Sequence, residues 1–265
     1  VIIPETIDNY PVRRILSKAF YQNNNVKCVI TPLSLTEANK DAFSCCEALK
    51  HIYAKTLSTS SFIGNYDFVE YGFIEKGIIN ECSNEFEYII YNDGTNNYAM
   101  ITEIFNWNVT SISGSYTYFK DLTKIGEYTI NAIGKKAFSL NLNNLVKLQN
   151  ISHQISVYIP TTIEIIELEA FKLCDWINNI NPTTSLSSLK YIENNAFYGC
   201  SNLKSIPDTP YLISIGDYAF WNCKIETINT TSLTSIGRYA FYKCSMLSSF
   251  EFKEGLINIE EHAFS

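Results

Sequence analysis

Cysteine is the residue type that gives this chain most of its capacity for chemistry, and its cysteines recur at a fixed spacing. In two places Asn23 and Asn141 occupy the recurring position instead, which indicates a slot for a small side chain that hydrogen-bonds a turn. A metal site would not tolerate that exchange, so we predict buried structural free thiols here. The five cysteines in this position, three residues after the Phe of an Ala-Phe pair, are Cys46, Cys174, Cys200, Cys223 and Cys244.

The other three cysteines, Cys28, Cys45 and Cys82, lie outside that spacing. If the protein is exported, these cysteines could form a Cys28–Cys82 or a Cys45–Cys82 disulfide, and free thiols are the alternative. No C-x-x-C pair occurs, so we expect no zinc site. The three histidines, at 51, 153 and 262, are far apart, and no H-E-x-x-H or G-x-S-x-G motif occurs. We therefore predict no catalytic residue, no metal and no cofactor.

The Ala-Phe pairs define an internal repeat. Successive Ala residues lie 23, 95, 33, 26, 23, 21 and 23 positions apart by subtraction, and the residue four positions before Ala is Ile in seven of eight copies. A period near 23 residues predicts stacked coils, because a coil this short cannot bury its own apolar face. The pairs begin at Ala19, Ala42, Ala137, Ala170, Ala196, Ala219, Ala240 and Ala263.

Written out, the unit is roughly L-x-x-I-x-x-x-A-F-x-x-[CN]-x-x-L-x-x-I-x-[IV]-P. The copy from Leu189 to Ile206 follows it, with Pro207 directly after that Ile. This unit resembles the leucine-rich repeat of the BspA-like, treponemal type. The resemblance extends over about 1–54 and 126–265. It implies a leucine-rich-repeat solenoid and a role in adhesion to host matrix proteins, host cells or other microbes.

The expected fold is mostly β. The L-x-x-I-x segments should form short strands in a parallel concave sheet, about 4.8 Å apart. Each A-F-x-x-C segment must reverse the chain, so we predict one short helical or 3₁₀ turn there. Equivalent side chains should stack in internal columns, one of Ile (Ile192, Ile215, Ile236, Ile259) and one of Phe (Phe197, Phe220, Phe241, Phe264).

The period breaks between the first two repeats and the rest, which predicts three regions. Residues 1–54 are leucine-rich repeats that end a first array, 55–125 are an aromatic-rich insertion, and 126–265 are further repeats. Within the insertion, Asn92-Asp93-Gly94 between two strand-like runs predicts a β-hairpin that opens the second array. One continuous solenoid that carries an insertion is the alternative. About ten extra residues near 143–152 should form a loop.

Composition narrows the classes of partner. The net charge is −7, and no basic run occurs, so nucleic acid and anionic membranes are poor partners. No apolar stretch is long enough to span a membrane. The chain opens with Val1-Ile2-Ile3-Pro4, like a strand already in progress, and neither end carries a polar cap. We therefore expect a piece of a longer extracellular or cell-surface protein, with signal and anchor outside it, and end-to-end association of its open coil.

The surface positions beside each strand's second apolar residue form the candidate ligand site on the concave sheet. They are mostly polar and uncharged, which suits a protein or a glycan ligand. The aromatic segment 62–91 is a second candidate surface. The concave-face positions are His51, Tyr53, Ser156, Tyr158, Asn179, Asn181, Ser205, Thr227, Asn229, Ser249 and Glu251.

Two functions are consistent with these patterns. The first is a non-catalytic, adhesin-like interaction module at the cell surface or in the medium, which binds matrix proteins, cells or glycans. The second is a passive repeat scaffold or spacer in a larger exported protein whose activity lies in another domain. An enzyme within these residues is disfavoured.

Overall fold

The Ile of each repeat lies in a short strand, and these strands pair in parallel from coil to coil. A computed structural model describes residues 2–26, 28–32, 34–39, 41–47, 49, 51–54, 69–71, 73–81, 84–92, 95–106, 115–116, 122–139, 155–181 and 185–265. The described residues contain no helix. They divide into two compact units, Val1–Glu75 with Ile89–Tyr98 and Lys76–Tyr88 with Ala99–Ser265.

The strands are β1 (Thr6–Ile7), β2 (Tyr10–Pro11), β3 (Arg14–Ile15), β4 (Cys28–Ile30), β5 (Glu37–Ala38), β6 (His51–Ala54), β7 (Val69–Tyr71), β8 (Phe73–Glu81), β9 (Asn84–Asn92), β10 (Asn97–Asn106), β11 (Ser115–Tyr116), β12 (Lys124–Ile125), β13 (Tyr128–Ile133), β14 (Ile155–Val157), β15 (Ile165–Ile166), β16 (Ile177–Ile180), β17 (Tyr191–Ile192), β18 (Ser214–Ile215), β19 (Ser235–Ile236) and β20 (Asn258–Ile259).

The first unit contains three parallel pairings: β3 pairs with β5, β4 pairs with β6, and β6 pairs with β7. Ile15 and Ala38 pair in register, and both are buried. The Phe20 and Phe43 rings stack with centroids 5.0 Å apart. Burial of these side chains on one face of each coil gives the unit a common apolar core.

In the second unit the main ladder runs β13, β15, β17, β18, β19 and β20, each parallel to the next. Its register places equivalent residues on one another, so the predicted Ile column is confirmed. The column members other than Ile259 are at most 1% exposed, whereas Ile259, in the last coil of this chain, is 49% exposed. The sheet continues through β10, β9 and β8.

The predicted Phe column also forms. The Phe171 and Phe197 centroids are 5.0 Å apart with planes 7° from parallel, and Phe197 and Phe220 are 5.2 Å apart. The backbone N–H groups of Phe197, Phe220 and Phe241 each donate to the Ala carbonyl of the next coil, as from Phe197 to Ala219 at 2.8 Å. Stacked rings add about 0.5–1.5 kcal/mol per pair to the burial of their surface.

The A-F-x-x-C segments form isolated turns rather than helices. Ala196 N–H donates to Glu193 and Cys200 N–H to Phe197, each three residues earlier, which is the 3₁₀ hydrogen-bond pattern. The residue before Ala and the residue before Cys both take the left-handed conformation, at φ 57° for Asn195 and 72° for Gly199. Two such residues per turn reverse the chain within a few positions.

The on-register cysteines are free thiols, as the sequence predicts. Four of the five are buried and Cys244 is half-buried, and each donates to the carbonyl of the Phe one coil back. Cys45 is a free, exposed thiol. Cys82, the possible disulfide partner of Cys28 or Cys45, lies outside the described residues.

Both stretches of repeats begin with the same antiparallel pairing. Ile7 pairs with Tyr10 in the first, and Ile125 pairs with Tyr128 in the second. Asp8 and Asn9 both have positive φ, at 50° and 67°, which is the I′ turn that suits a tight hairpin. The predicted turn at 93 and 94 and the predicted loop at 143–152 lie outside the described residues.

Candidate functional site

A second parallel ladder in the second unit carries most of the candidate positions. It pairs β11 with β14 and β14 with β16, and it continues as single bridges from Asn179 to Ser205 and from Ser205 to Thr227. The Ser205 hydroxyl donates to Asn179 Oδ1 at 2.7 Å. In β16 the two Ile residues are buried while the two Asn residues between them are half-buried.

The candidate positions and the Ile column lie in different ladders. The Ile strands β17 and β18 belong to the main ladder, whereas Asn179, Ser205 and Thr227 belong to the second ladder. Each coil therefore contributes to two separate ladders, and the candidate surface follows the second. A ligand site on a concave face stays a prediction.

Two candidate residues are buried, which corrects their expected exposure. Asn181 is 1% exposed and Ser156 is 9% exposed. The Asn181 amide caps the neighbouring coil: Oδ1 accepts from the Ile159 N–H at 2.6 Å, and Nδ2 donates to the Ile159 carbonyl at 2.9 Å. The Ser156 hydroxyl donates to Asn178 Oδ1 at 3.3 Å. Since a buried backbone N–H and C=O need partners, Asn181 acts in the structure rather than at the surface.

The remaining candidates split between the two units. His51 and Tyr53 are in β6 of the first unit, where their backbones pair with Cys28 and Ile30. The other positions lie in the second unit and increase in exposure along the chain. Tyr158, Asn179 and Ser205 are half-buried, and the exposed ones are Thr227, Asn229, Ser249 and Glu251. The structure thus brings together one run of candidates, from 179 to 251. Segment 62–91, the second candidate surface, is described only in part.

A pocket of about 410 Å³ opens beside the exposed end of this run. It falls within the 300–1,000 Å³ range of small-ligand pockets. Asn229 and Glu251 were predicted as site residues, and the pocket adds residues from four consecutive coils. Its lining is Ser185, Asp208, Pro210, Ile228, Asn229, Thr230, Thr231, Glu251 and Lys253.

Hydrogen bonds between coils fix the pocket walls. Asn229 Nδ2 donates to Asp208 Oδ1 at 2.8 Å, and the Thr231 hydroxyl donates to the Pro210 carbonyl at 2.8 Å. At the rim, Lys253 pairs with Glu251, whose side chain is 78% exposed. The walls are therefore held by bonds between consecutive coils, while the mouth faces solvent.

Sequence reasoning missed Asp208, Pro210 and Lys253. They lie three, five and two residues beyond a predicted position, respectively, in the loop that follows the second ladder. The Pro residues at 207 and 210 signal such a loop, but the period does not show which loop residues converge.

Other kinds of site are not supported in the part of the chain that the structure describes. No group of three His, Cys, Asp or Glu side chains there is placed to hold a metal ion. Within the same residues, nothing helical is long and apolar enough to cross a membrane.

The stacked coils, the two parallel ladders and the buried Phe column define a repeat protein of the solenoid class. A model of the BspA type leucine rich repeat region matches residues 3–145, 148–190 and 183–265, with six copies. The chain therefore belongs to the BspA-type leucine-rich repeat family. The resemblance inferred from the repeat unit is confirmed.

Among solved structures, the chain is similar to a leucine rich cell surface protein from Faecalibacterium prausnitzii, with 23% identity over 71% of this chain and 52% of that one, at a TM-score of 0.42. A leucine-rich repeat protein from Bacteroides ovatus shares 19% identity over 74% of this chain and 53% of that one, at 0.40. A leucine-rich repeat protein from Eubacterium ventriosum shares 16% identity over 91% of this chain and 58% of that one, at a TM-score of 0.40. The chain thus spans a little over half the length of these structures. No curated protein matches it.

Proposed function

We propose that this chain is a non-catalytic, adhesin-like interaction module that works at the cell surface or after secretion. Its partner is a matrix protein, a cell surface or a glycan, contacted along the second ladder. The observation that carries the proposal is the run of exposed polar positions from Thr227 to Glu251, which ends in a pocket of about 410 Å³. Extended surfaces made of equivalent positions are how repeat proteins contact large partners.

The composition of the run agrees with recognition of an uncharged or mixed surface. Asn179, Ser205, Thr227 and Asn229 are neutral groups that both donate and accept hydrogen bonds. In an interface such groups supply specificity, while affinity depends on a few buried contacts. The pocket supplies the place where a partner side chain or ring is buried.

Binding of the purified chain to fibronectin, fibrinogen and a glycan array tests the proposal. The test variant carries Asn179→Arg, Thr227→Arg and Ser249→Arg, which place two bulky charges on the second ladder and a third at the exposed Ser249 of the next coil. The matched control carries Leu173→Arg, Ser245→Arg and Met246→Arg, three exposed residues near the turns. We expect binding that the test variant loses and the control keeps.

Other outcomes select between the alternatives. Binding that survives the test variant moves the site away from the second ladder, with segment 62–91 as the next candidate. No binding to any member of the panel favours the passive scaffold or spacer. Self-association of copies end to end stays a prediction, and the concentration dependence of the mass in solution tests it.

A further inference from the structure

The pocket at residues 185–253 offers a ligand mainly hydrogen-bond acceptors. The Ser185 hydroxyl donates to the Asp208 carbonyl at 2.8 Å, and the Thr231 hydroxyl donates to the Pro210 carbonyl at 2.8 Å. Their protons are used within the walls, so each presents lone pairs to the cavity. Asp208 and Glu251 are carboxylates, which only accept when ionised.

The pocket is negatively charged, which agrees with its excess of hydrogen-bond acceptors. Two carboxylates and one ammonium group line it, and the ammonium group of Lys253 pairs with Glu251. Asp208 Oδ1 takes one hydrogen bond, from Asn229, and among the described residues no Lys or Arg forms an ion pair with Asp208. The pocket therefore keeps a negative charge that a cationic ligand would neutralise.

The pocket lining also contains two apolar residues, Pro210 and Ile228, and Ile228 is 7% exposed. Apolar residues beside hydrogen-bond acceptors suit a group with a hydrocarbon stem and a cationic, donor-only head. Among protein side chains, arginine combines these features best, because its guanidinium carries five N–H donors in a planar fork.

We infer that this pocket binds an arginine side chain from an extended peptide segment of a protein partner. The inference rests on the proposed interaction function and names the chemistry of its partner. The guanidinium donates to the Asp208 carboxylate and to neighbouring acceptors, and its methylenes pack on Pro210 and Ile228. The peptide backbone continues along the second ladder over Thr227.

A sugar ring fits the pocket less well. Sugar hydroxyls both donate and accept, and the hydroxyl groups of Ser185 and Thr231 have no remaining proton to offer them. Among the described residues that line the pocket, none is an aromatic side chain on which a sugar ring could lie flat.

Titration of the chain with acetyl-Gly-Arg-Gly-amide, followed by amide NMR shifts, tests the inference. The matched peptide has citrulline, which keeps the shape but loses the charge. We expect the arginine peptide to shift resonances of residues 208, 229 and 251, with at least tenfold weaker binding for citrulline. Asp208→Asn should weaken binding at least tenfold. Glu251→Gln, at the exposed rim, should weaken it less. Glu254→Gln, outside the pocket, should leave it unchanged.

The remaining results each have one meaning. Equal shifts with both peptides, or unchanged binding in a folded Asp208→Asn variant, would overturn the arginine pocket. Shifts of the same resonances by neutral monosaccharides, with none from the arginine peptide, would also overturn it and make the pocket a sugar site. If the arginine peptide fails while the protein panel still binds through Thr227, the pocket inference falls and the interaction function stands.

Discussion

The thiol of Cys200 donates a hydrogen bond to the carbonyl oxygen of Phe171, 3.0 Å away in the preceding coil. The same carbonyl accepts the Cys174 N–H at 3.2 Å within its own coil. Both lone pairs of one buried oxygen are thus used, one locally and one between coils. The arrangement recurs from Cys46 to Cys244, which explains why a small donor side chain is repeated at this position.

Substitution of Cys223 tests the value of this bond. Cys223 is 1% exposed, and its thiol donates a hydrogen bond to the Phe197 carbonyl at 3.2 Å. The same carbonyl also accepts a hydrogen bond from the Cys200 N–H. We expect Cys223→Ser to cost about 1 kcal/mol and Cys223→Ala about 2 kcal/mol, since Ala removes the donor and leaves a small cavity. Neither should abolish folding. Urea denaturation measures both.

The exposed, off-register Cys45 provides the control. Cys45→Ser should change the free energy of unfolding by less than about 0.5 kcal/mol. Unfolding of the unmodified chain by a mild reductant would contradict the free-thiol arrangement, because it would require a structural disulfide.

The sequence was sufficient to predict the stacked fold because the core repeats itself. A residue such as Ile215 lies on Ile192 and beneath Ile236, so the same side-chain volume is required in every coil. The same residue types therefore recur in the sequence with the period of one coil. The turns were also predictable, since each must reverse the chain at the same place.

The candidate site was less predictable, and Asn179 and Asn181 show why. They are two positions apart in one pattern, yet Asn179 is half-buried and Asn181 is buried against the Ile159 backbone. Which of the two side chains is buried depends on the path of the chain after the strand. That path includes a left-handed backbone conformation at Asn181, where φ is 41°. The pocket likewise depends on loops from neighbouring coils, and the period carries no information about their convergence.

Replacement of Ile215 by Asp tests the stacked core. Ile215 is 1% exposed, and its column neighbours are apolar, so the carboxylate would have no partner. We expect a loss of more than about 3 kcal/mol. Ser214→Asp, in the same strand but half-buried, should cost less than about 1 kcal/mol. An Ile215→Asp variant as stable as the parent chain in thermal denaturation would refute the stacked-coil structure.

Gly199 and Leu173 test the spacing between neighbouring turns. Gly199 has φ of 72°, and a Cβ atom there would lie 2.7 Å from Leu173 Cδ2. Gly199→Ala should therefore cost about 1–2 kcal/mol from backbone strain, plus a further cost from this contact. In a Leu173→Ala background the contact disappears, so the cost of Gly199→Ala should fall. Equal costs in both backgrounds, measured as a double-mutant cycle, would show that the side chain moves aside freely.

Thiol reactivity should separate the buried cysteines from Cys45. Burial raises the pKa of the Cys174 and Cys223 thiols well above the ordinary value, and that of Cys244 to about 11. The thiolate is the reactive species, so these groups should react very slowly at pH 8. Among the described thiols, we expect Cys45 to react with an aromatic disulfide reagent at once and the buried ones only after denaturation. Rapid reaction of Cys223 in the folded chain would contradict its burial.

The raised pKa of Cys244 also predicts a dependence of stability on pH. Burial raises this pKa from 9.0 to about 11, so the unfolded chain releases the proton first as the pH rises. The thiol's contribution is fully present below about pH 9 and is lost progressively towards pH 11.

Cys244→Ala removes the titrating group, so the stability advantage of the parent chain over this variant should shrink by on the order of 2 kcal/mol across that window. Lysines and tyrosines titrate in both proteins, and the difference between them cancels that background. Urea denaturation at pH 8, 9, 10 and 11 measures the gap. If the gap stays constant, the thiol is not held in the protonated state by burial.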